Sequence, residues 1–248
     1  MAEDDGRFAT RVSERLRHKG RALTTWDYEH LILQAFPQIY KVKCIPAQEA
    51  TETEVSGAVS VIVIPDIRRK LPFNSFEPKG SSDLLAEIQE FIDERKPAAA
   101  AVEIKNAHFR SVRARFGVRF SDRGNDEFHK QLLIDDLDRF LSPWAFDEGA
   151  DIAIGGKIYA TTLIDFIDRR PYVDYVANLR LYYSDDGRQY LPAPEVDDDG
   201  DHVAAGRADA VLRAARDHQI DVISSDGHRV ELLTGIGFMK VELDFVVG

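Results

Sequence analysis

The sequence has little of what marks secreted, membrane-spanning or nucleic-acid-binding proteins. Its 248 residues include one cysteine, Cys44, which cannot form a disulfide within the chain. No apolar run reaches the length of about 18 residues that a transmembrane helix needs, and the polar, acidic opening at 1–7 is unlike a secretory signal peptide. The net charge of −11 should repel nucleic acid and anionic lipid. We therefore expect a soluble, acidic protein that is made in the cytoplasm and inserts into no membrane.

The composition that remains is that of an ordinary globular protein. Apolar residues make up 44% of the chain and charged residues 30%, and a chain of this length can bury a substantial core. Hydrophobic periodicity predicts helices at 7–19, 24–36, 83–94 and 126–141, and a short helix around 159–167. It predicts strands at 39–45, 59–64, 102–109, 112–120, 173–183, 220–223 and 241–247, and leaves 203–216 open between helix and strand.

The order of these elements indicates an α+β fold. Strands and helices over 58–184 follow the split βαβ pattern of ferredoxin-like folds, in which helices cover one face of a sheet. We expect this core domain to follow an N-terminal helical arm and strand at 1–50 and to precede a small C-terminal β-rich unit at 203–248.

Two strands carry strong alternation of side chains. In the strand at 112–120, apolar residues alternate with Arg113, Arg115 and Arg119, which predicts an outward basic stripe. The strand at 173–183 is predicted to place alternate residues on one apolar side, namely Val173, Tyr175, Ala177, Leu179, Leu181 and Tyr183. Nucleic-acid binding would need aromatic side chains beside the arginines, but Phe116 and Phe120 point to the opposite face. The stripe therefore favours a protein contact or pairing with the acidic helices of this chain.

Motifs of phosphate, calcium and metal sites are incomplete. Gly155-Gly156-Lys157 is followed by Ile158 where a phosphate-binding loop needs Ser or Thr, so a turn is expected. The acidic run at 197–201 lacks the glycine and glutamate of a calcium loop. The closest two of the seven histidines stand ten residues apart, with no helical metal spacing. The residues thus predict no metal and no cofactor.

Catalytic motifs are equally lacking. Asp135, Asp136 and Asp138 fan over a solvated helix face, and no G-x-S-x-G nucleophile motif exists. Cys44 lies on the apolar side of its strand and is expected to be a buried structural thiol. Trp144 follows a helix end and is either a core residue or an interface anchor. The chain is therefore not expected to be an enzyme, and a hydrolase with carboxylates assembled in space has no support in the sequence.

Four groups of segments carry a family resemblance. The first is R-A-L-T-T-W-D-Y-E at 21–29, leading into the strand that holds Cys44. The second is V-I-V-I-P-D at 61–66 with the proline-rich segment at 71–78. The third is D-R-F-L-S-P-W-A-F at 138–146, followed by G-G-K-I-Y at 155–159 and by the segments at 165–167 and 173–176. The fourth is H-Q-I at 218–220. In this order they resemble the baseplate J-like family, the wedge proteins of contractile phage tails and related extracellular contractile injection systems. The segment around Trp144 is most similar to the injection systems.

The resemblance implies a structural role in an assembled tail-like particle, a virion baseplate or an extracellular injection particle. Such a wedge subunit pairs with a second wedge protein and other baseplate copies, links hub and spike proteins to the sheath-initiating adaptor, and relays the contraction trigger. Members are often longer in their N-terminal portion, so this is a short form or another chain supplies that portion. The candidate interface residues are Trp26, Arg113, Arg115, Arg119, Trp144, Phe146 and Tyr159. The alternative is a nucleic-acid-binding ferredoxin-like module that uses the stripe of Arg113, Arg115 and Arg119.

Overall fold

The computed structural model describes residues 19–46, 59–67, 74–121, 125–193 and 202–223. The helix predicted at 7–19, apart from its last residue, and the strand predicted at 241–247 lie outside these ranges.

The described residues form α-helices and β-strands that confirm the α+β class. The helices are α1 (Thr25–Ala35), α2 (Ser82–Asp93), α3 (Asp126–Leu141) and α4 (Ala160–Asp168), with a 3₁₀ turn at Pro143–Ala145. The strands are β1 (Ile39–Ile45), β2 (Val59–Pro65), β3 (Val102–Asn106), β4 (His108–Phe120), β5 (Lys157–Tyr159), β6 (Val173–Ser184), β7 (Leu191–Pro192), β8 (His202–Ala204), β9 (Ala210–Ala214) and β10 (Gln219–Val222). The segment that the sequence left open, 203–216, thus contains strands.

The first sheet has three strands in the order β1-β2-β3. β2 is central, antiparallel to β1 and parallel to β3, and its continuous run of β-branched residues is buried on both faces. One face packs on α1 and α2 through residues such as Val61, Val63, Ile32 and Ile88. α1 begins at a capping box, in which Asp27 and Thr24 each accept a hydrogen bond from the other's backbone N–H.

The second sheet is built around β4. Antiparallel β6 pairs with β4 along its length, while parallel β9 and β10 pair with its first and second halves on the other side. β7 extends the sheet beyond β6, and β5 and β8 form a separate antiparallel pair. The predicted apolar face of β4, from Val112 to Phe120, is confirmed: it packs on Leu133 and Leu137 of α3 and on Leu163 of α4.

The ferredoxin-like arrangement is not confirmed, because its strands divide between two sheets. β2 and β3 join β1, whereas β4 and β6 belong to the second sheet. A single residue, Ala107, separates β3 from β4, and the chain changes sheets there. The domain boundaries stay a prediction, but hydrogen-bonded strands cross both: β1 of the expected N-terminal arm pairs with β2, and β9 and β10 of the expected C-terminal unit pair with β4.

The strict alternation predicted for β6 is wrong because two bulges interrupt it. Asn178 and Leu179 lie opposite one residue of β4, and Asp174 is an extra residue nearer the start of the strand. Asn178 has φ +53°, a left-handed conformation that asparagine tolerates better than most residues. Each bulge shifts the phase by one residue, so Tyr175, predicted to face the core, is exposed.

Helix side chains cap both edges of the first sheet. At β1, the Cys44 N–H donates to the Glu29 carboxylate of α1 at 2.9 Å. At β3, the Gln89 amide of α2 donates to the Val102 carbonyl at 3.1 Å and accepts from the Ile104 N–H at 3.0 Å, as a neighbouring strand would. These contacts occupy backbone groups that an exposed edge offers to other strands.

We expect Gln89→Ala to destabilise the chain by about 1–3 kcal/mol, since it leaves two half-buried backbone groups without their partner. Urea unfolding followed by circular dichroism measures the change. Gln131→Ala is the matched control, because Gln131 contacts only an exposed carboxylate one helical turn away and should shift stability by less than about 0.5 kcal/mol. Equal effects of the two substitutions would contradict the capping role.

Candidate interaction surface

A small apolar core joins the two sheets and includes Trp144. Ile62 and Ile64 of β2 meet Phe109 of β4 and Val211 of β9 in this cluster. Trp144, in the 3₁₀ turn after α3, is 8% exposed within it. Of the two interpretations of Trp144, the structure thus favours a core residue, and its contact with a partner stays a prediction.

Lysines of β1 strengthen the same junction. The Lys41 ammonium donates to the Asp151 carboxylate and to the Ile152 carbonyl, each at 2.7 Å. Lys43 donates to the Ile154 carbonyl at 3.3 Å. These bonds hold the segment before β5 against the first sheet, so both lysines make contacts within the chain.

The predicted arginine stripe lies on the outward face of the second sheet, and two of its three arginines pair with carboxylates of the chain. Arg113 pairs with Asp217 and lies 3.5 Å from the Tyr190 ring centroid. Arg119 donates its Nε–H to Asp174 at 2.5 Å and lies over the Tyr175 ring. Each of these arginines therefore has a carboxylate on one side and an aromatic ring on another.

Arg115 lies between these two pairs on the same face. It stands opposite Arg180 of β6 in the strand register and is half-buried. Beside it, Ile223 packs over Gly117, where an added Cβ would come within 2.9 Å of the isoleucine side chain. A larger residue at 117 would make the end of the Ile223 side chain shift.

The arginines of the stripe pair with acidic side chains of the chain, but these lie on β6 and in loops and not on the helices that the sequence suggested. Asp174, Asp185 and Asp217 are distant in sequence from the arginines of β4, and only strand pairing brings them together. In the sequence, the only clue to the partners of Arg119 was the adjacent Asp174 and Tyr175. These two residues lie beside Arg119 because of the bulge in β6. A prediction from the alternation of apolar and polar residues assumes a regular strand, so it misses the bulge.

Arg110 is the best-connected arginine of β4. It donates two hydrogen bonds to the Asp185 carboxylate, at 2.7 and 2.9 Å, and a third to the Ala204 carbonyl at 3.1 Å. His108 also contacts Asp185, at 3.1 Å. These bonds, chiefly those from Arg110, hold the pKa of Asp185 below its usual range. The cluster fixes the turn after β6 and strand β8 to β4.

The remaining candidate interface residues differ in exposure. Trp26 is 36% exposed on α1 and stacks on His30 with 3.8 Å between ring centroids. Phe146 is 46% exposed, with Phe76 against its edge and Arg139 over its face. Tyr159 is half-buried at the start of α4 and packs near His202. Whether these residues contact a partner stays a prediction.

His218 of the H-x-I segment is a buried link between α3 and the second sheet. Its Nδ1 accepts the Ala114 N–H at 3.1 Å, which requires that nitrogen to carry no proton. Its Nε2 then carries the proton and lies 3.5 Å from the Asp138 carboxylate. Two of the aspartates predicted to be solvated are therefore half-buried: Asp138 faces this histidine, and Asp136 accepts a hydrogen bond from the Tyr172 hydroxyl at 2.7 Å.

One shallow notch lies beside Trp144. Its volume is about 10 Å³, and it is lined by Tyr40, Pro65, Asp66, Ile67, Trp144, Asp147, Glu148, Ala150 and Ile152. Across the described ranges, no group of three or more His, Cys, Asp or Glu residues is placed to hold a metal ion. No helix in that part of the chain is long and apolar enough to cross a membrane.

Comparisons with known proteins converge on baseplates. The family model described as "Baseplate protein PVC11-like" matches residues 1–199. The fold is similar to a chain of the cryo-EM structure of the anti-feeding prophage (AFP) baseplate, 6-fold symmetrised, with a TM-score of 0.59 and 21% identity. The likeness covers 86% of this chain and 42% of the baseplate chain, so this chain matches less than half of the length of the baseplate chain. No curated protein matches the sequence.

The lowered pKa of Asp185 predicts a pH-dependent contribution to stability. Because the folded state favours the ionised carboxylate, the contribution is full above the unfolded pKa of about 3.9 and is lost as the pH falls through the folded value. Asp185→Asn should therefore lower the urea midpoint at pH 6, and its difference from the parent chain should shrink toward pH 2. Glu87→Gln, on the exposed side of α2, is the charge-matched control. A difference that is constant across this range would contradict the pairing.

The Cys44 thiol is expected to be inert in the folded chain. Burial, with a smaller effect of the nearby Glu29 carboxylate, raises its pKa to about 12. At pH 8, Ellman's reagent should titrate Cys44 only after unfolding, whereas an added thiol in Ser82→Cys, at the exposed start of α2, should react at once. Rapid modification of Cys44 in native buffer would contradict this assignment.

Proposed function

Because the chain belongs to the PVC11-like family of baseplate proteins, we propose that it is a wedge subunit in the baseplate of a contractile injection system. The match to the family model over residues 1–199 is the observation that carries the proposal. As a wedge, the subunit pairs with a second wedge protein and other baseplate copies. It connects the hub and spike proteins to the sheath-initiating adaptor and passes on the contraction trigger.

The architecture supports a role in assembly. Side chains of α1 and α2 cap the edges of the first sheet, so strand addition there would have to displace them. Partners are therefore expected to bind faces and loops. Obligate interfaces in large assemblies bury extensive surface and centre on aromatic and arginine side chains.

Two exposed aromatic residues offer such anchors. Phe146 follows the 3₁₀ turn, and Arg139 of α3 lies over its ring. Tyr175 lies on the outward face of the second sheet beneath Arg119. In both places an arginine holds an aromatic ring at the surface, which restricts its rotamers before a partner arrives.

The pairing of the arginines disfavours the nucleic-acid alternative. Phosphate groups would have to displace Asp217 from Arg113 and Asp174 from Arg119. The net charge of −11 opposes the approach of a polyanion as well.

Co-expression with the baseplate proteins encoded beside it tests the proposal. The chain should elute with at least one of them as a complex on size exclusion. Phe146→Ala and Tyr175→Ala should each weaken that complex by roughly fivefold or more, because truncated anchor residues typically cost over about 1 kcal/mol. Leu191→Ala is the control, since Leu191 is an exposed apolar residue with no arginine recorded over it.

A stable chain that associates with none of these proteins would count against the wedge role. Binding to oligonucleotides that weakens steeply with salt would instead support the alternative.

A further inference from the structure

The connection between β2 and α2, residues 66–81, reaches across to the second sheet. β2 is the central strand of the first sheet, and α2 packs on that sheet. Within the connection, however, Phe76 packs against the core of the second sheet, and Glu77 forms an ion pair with Arg213 of β9 at 2.5 Å. We call residues 74–80 the strap, because they join the second sheet to two elements that belong to the first.

The ion pair that attaches the strap is largely removed from solvent. The side chain of Arg213 is 11% exposed and that of Glu77 is 23% exposed. Arg213 also donates from Nη1 to the Ala214 carbonyl at 2.8 Å, so β9 itself holds the guanidinium in place. Removing one partner of a buried ion pair leaves the other charge without compensation. The attached position of the strap is therefore strongly favoured.

The end of the strap next to α2 is fixed at the point where the chain changes sheets. The Asn106 side chain, at the end of β3, accepts the Gly80 N–H at 2.7 Å and donates to the Gly80 carbonyl at 3.0 Å. Nearer the second sheet, the Phe76 N–H donates to the Asn74 side chain at 3.2 Å, and the buried Pro78 has a restricted φ. The strap is therefore stiff between its two attachments.

The strap also contacts the exposed Phe146. The rings of Phe76 and Phe146 are nearly perpendicular, with 5.7 Å between their centroids, and Arg139 lies over the Phe146 ring. Phe146 follows the 3₁₀ turn that contains Trp144, and Trp144 packs in the core that joins the two sheets. The exposed ring, the strap and the junction of the sheets thus form one continuous series of contacts.

We propose that the strap positions Phe146 at the surface and couples this ring to the attachment of the strap on β9. A partner that displaces Phe146 then loosens the strap, and release of Glu77 from Arg213 frees Phe146. The coupling acts in both directions, because a link between two sites has the same free energy whichever site is changed first. It goes beyond the wedge role and does not depend on it, since all of these contacts lie within the chain.

Amide hydrogen exchange of the full-length chain tests the coupling, because it reports local opening segment by segment. Glu77→Gln removes the ion pair and should raise exchange several-fold in the strap and also at 146–150, where the Phe146 and Asp147 N–H groups close a turn on Pro143. In the other direction, Phe146→Ala should raise exchange several-fold in the strap. This truncation spares the core, since Phe146 is 46% exposed.

Phe76→Ala detaches the strap from Phe146 in a second way, should Glu77→Gln fail to fold, and it should likewise raise exchange at 146–150. Tyr175→Ala is the matched control for Phe146→Ala: Tyr175 is also an exposed ring beneath an arginine, but it lies on β6, and its loss should leave the strap unchanged. Exchange that rises only in the substituted segment would overturn the proposal. So would a rise spread evenly over the chain, or equal effects of Tyr175→Ala and Phe146→Ala on the strap.

Discussion

Strand β4 has to be covered on both faces and both edges, and the arrangement of the second sheet follows from that requirement. Its inward face, from Val112 to Phe120, is apolar and packs on α3 and α4. The opposite face begins at Phe109, which packs against the first sheet, and continues as arginines. One edge pairs with β6, and the other pairs with β9 and then β10. A strand of 13 residues with this many contacts positions nearly every other element of the second half of the chain.

The arginines of β4 show how an outward face can be charged and still belong to the fold. Arg110, which lies on the other face of β4 in line with Val112, joins the turn after β6 and strand β8 through Asp185 and Ala204. Arg113 and Arg119 each combine a carboxylate with a tyrosine ring. Partly exposed ion pairs contribute little individually, but here they connect segments that lie far apart in sequence. The acidic balance of the chain supplies the carboxylates that this face requires.

Sequence reasoning succeeded where a local rule decides the outcome and failed where pairing decides it. The helix at 24–36, the strand at 59–64 and the alternation of β4 follow local patterns, and each is found as predicted. The division into two sheets depends on a change of partner at Ala107, which leaves no mark in the hydrophobic pattern. The bulges of β6 likewise arise from pairing with β4, and they move Tyr175 from the predicted core face to the surface.

The candidate interaction surface shows the same difference between features set by local sequence and features set by tertiary pairing. Sequence placed Arg113 and Arg119 on an outward stripe, as found, but their carboxylate partners come from elements that only the tertiary fold brings near. Local patterns could not decide the role of Trp144, because a tryptophan after a helix end suits a core and an interface equally. In the structure it packs in the apolar core that joins the two sheets. At that junction the two sheets pack on each other, and helices cover the other apolar face of each sheet. Among the described residues, the large apolar side chains that stay exposed are four aromatic rings and three leucines, and arginines lie over two of the rings, Phe146 and Tyr175. Aromatic and arginine side chains are the groups on which protein interfaces centre, so these two rings are the strongest candidates for a contact.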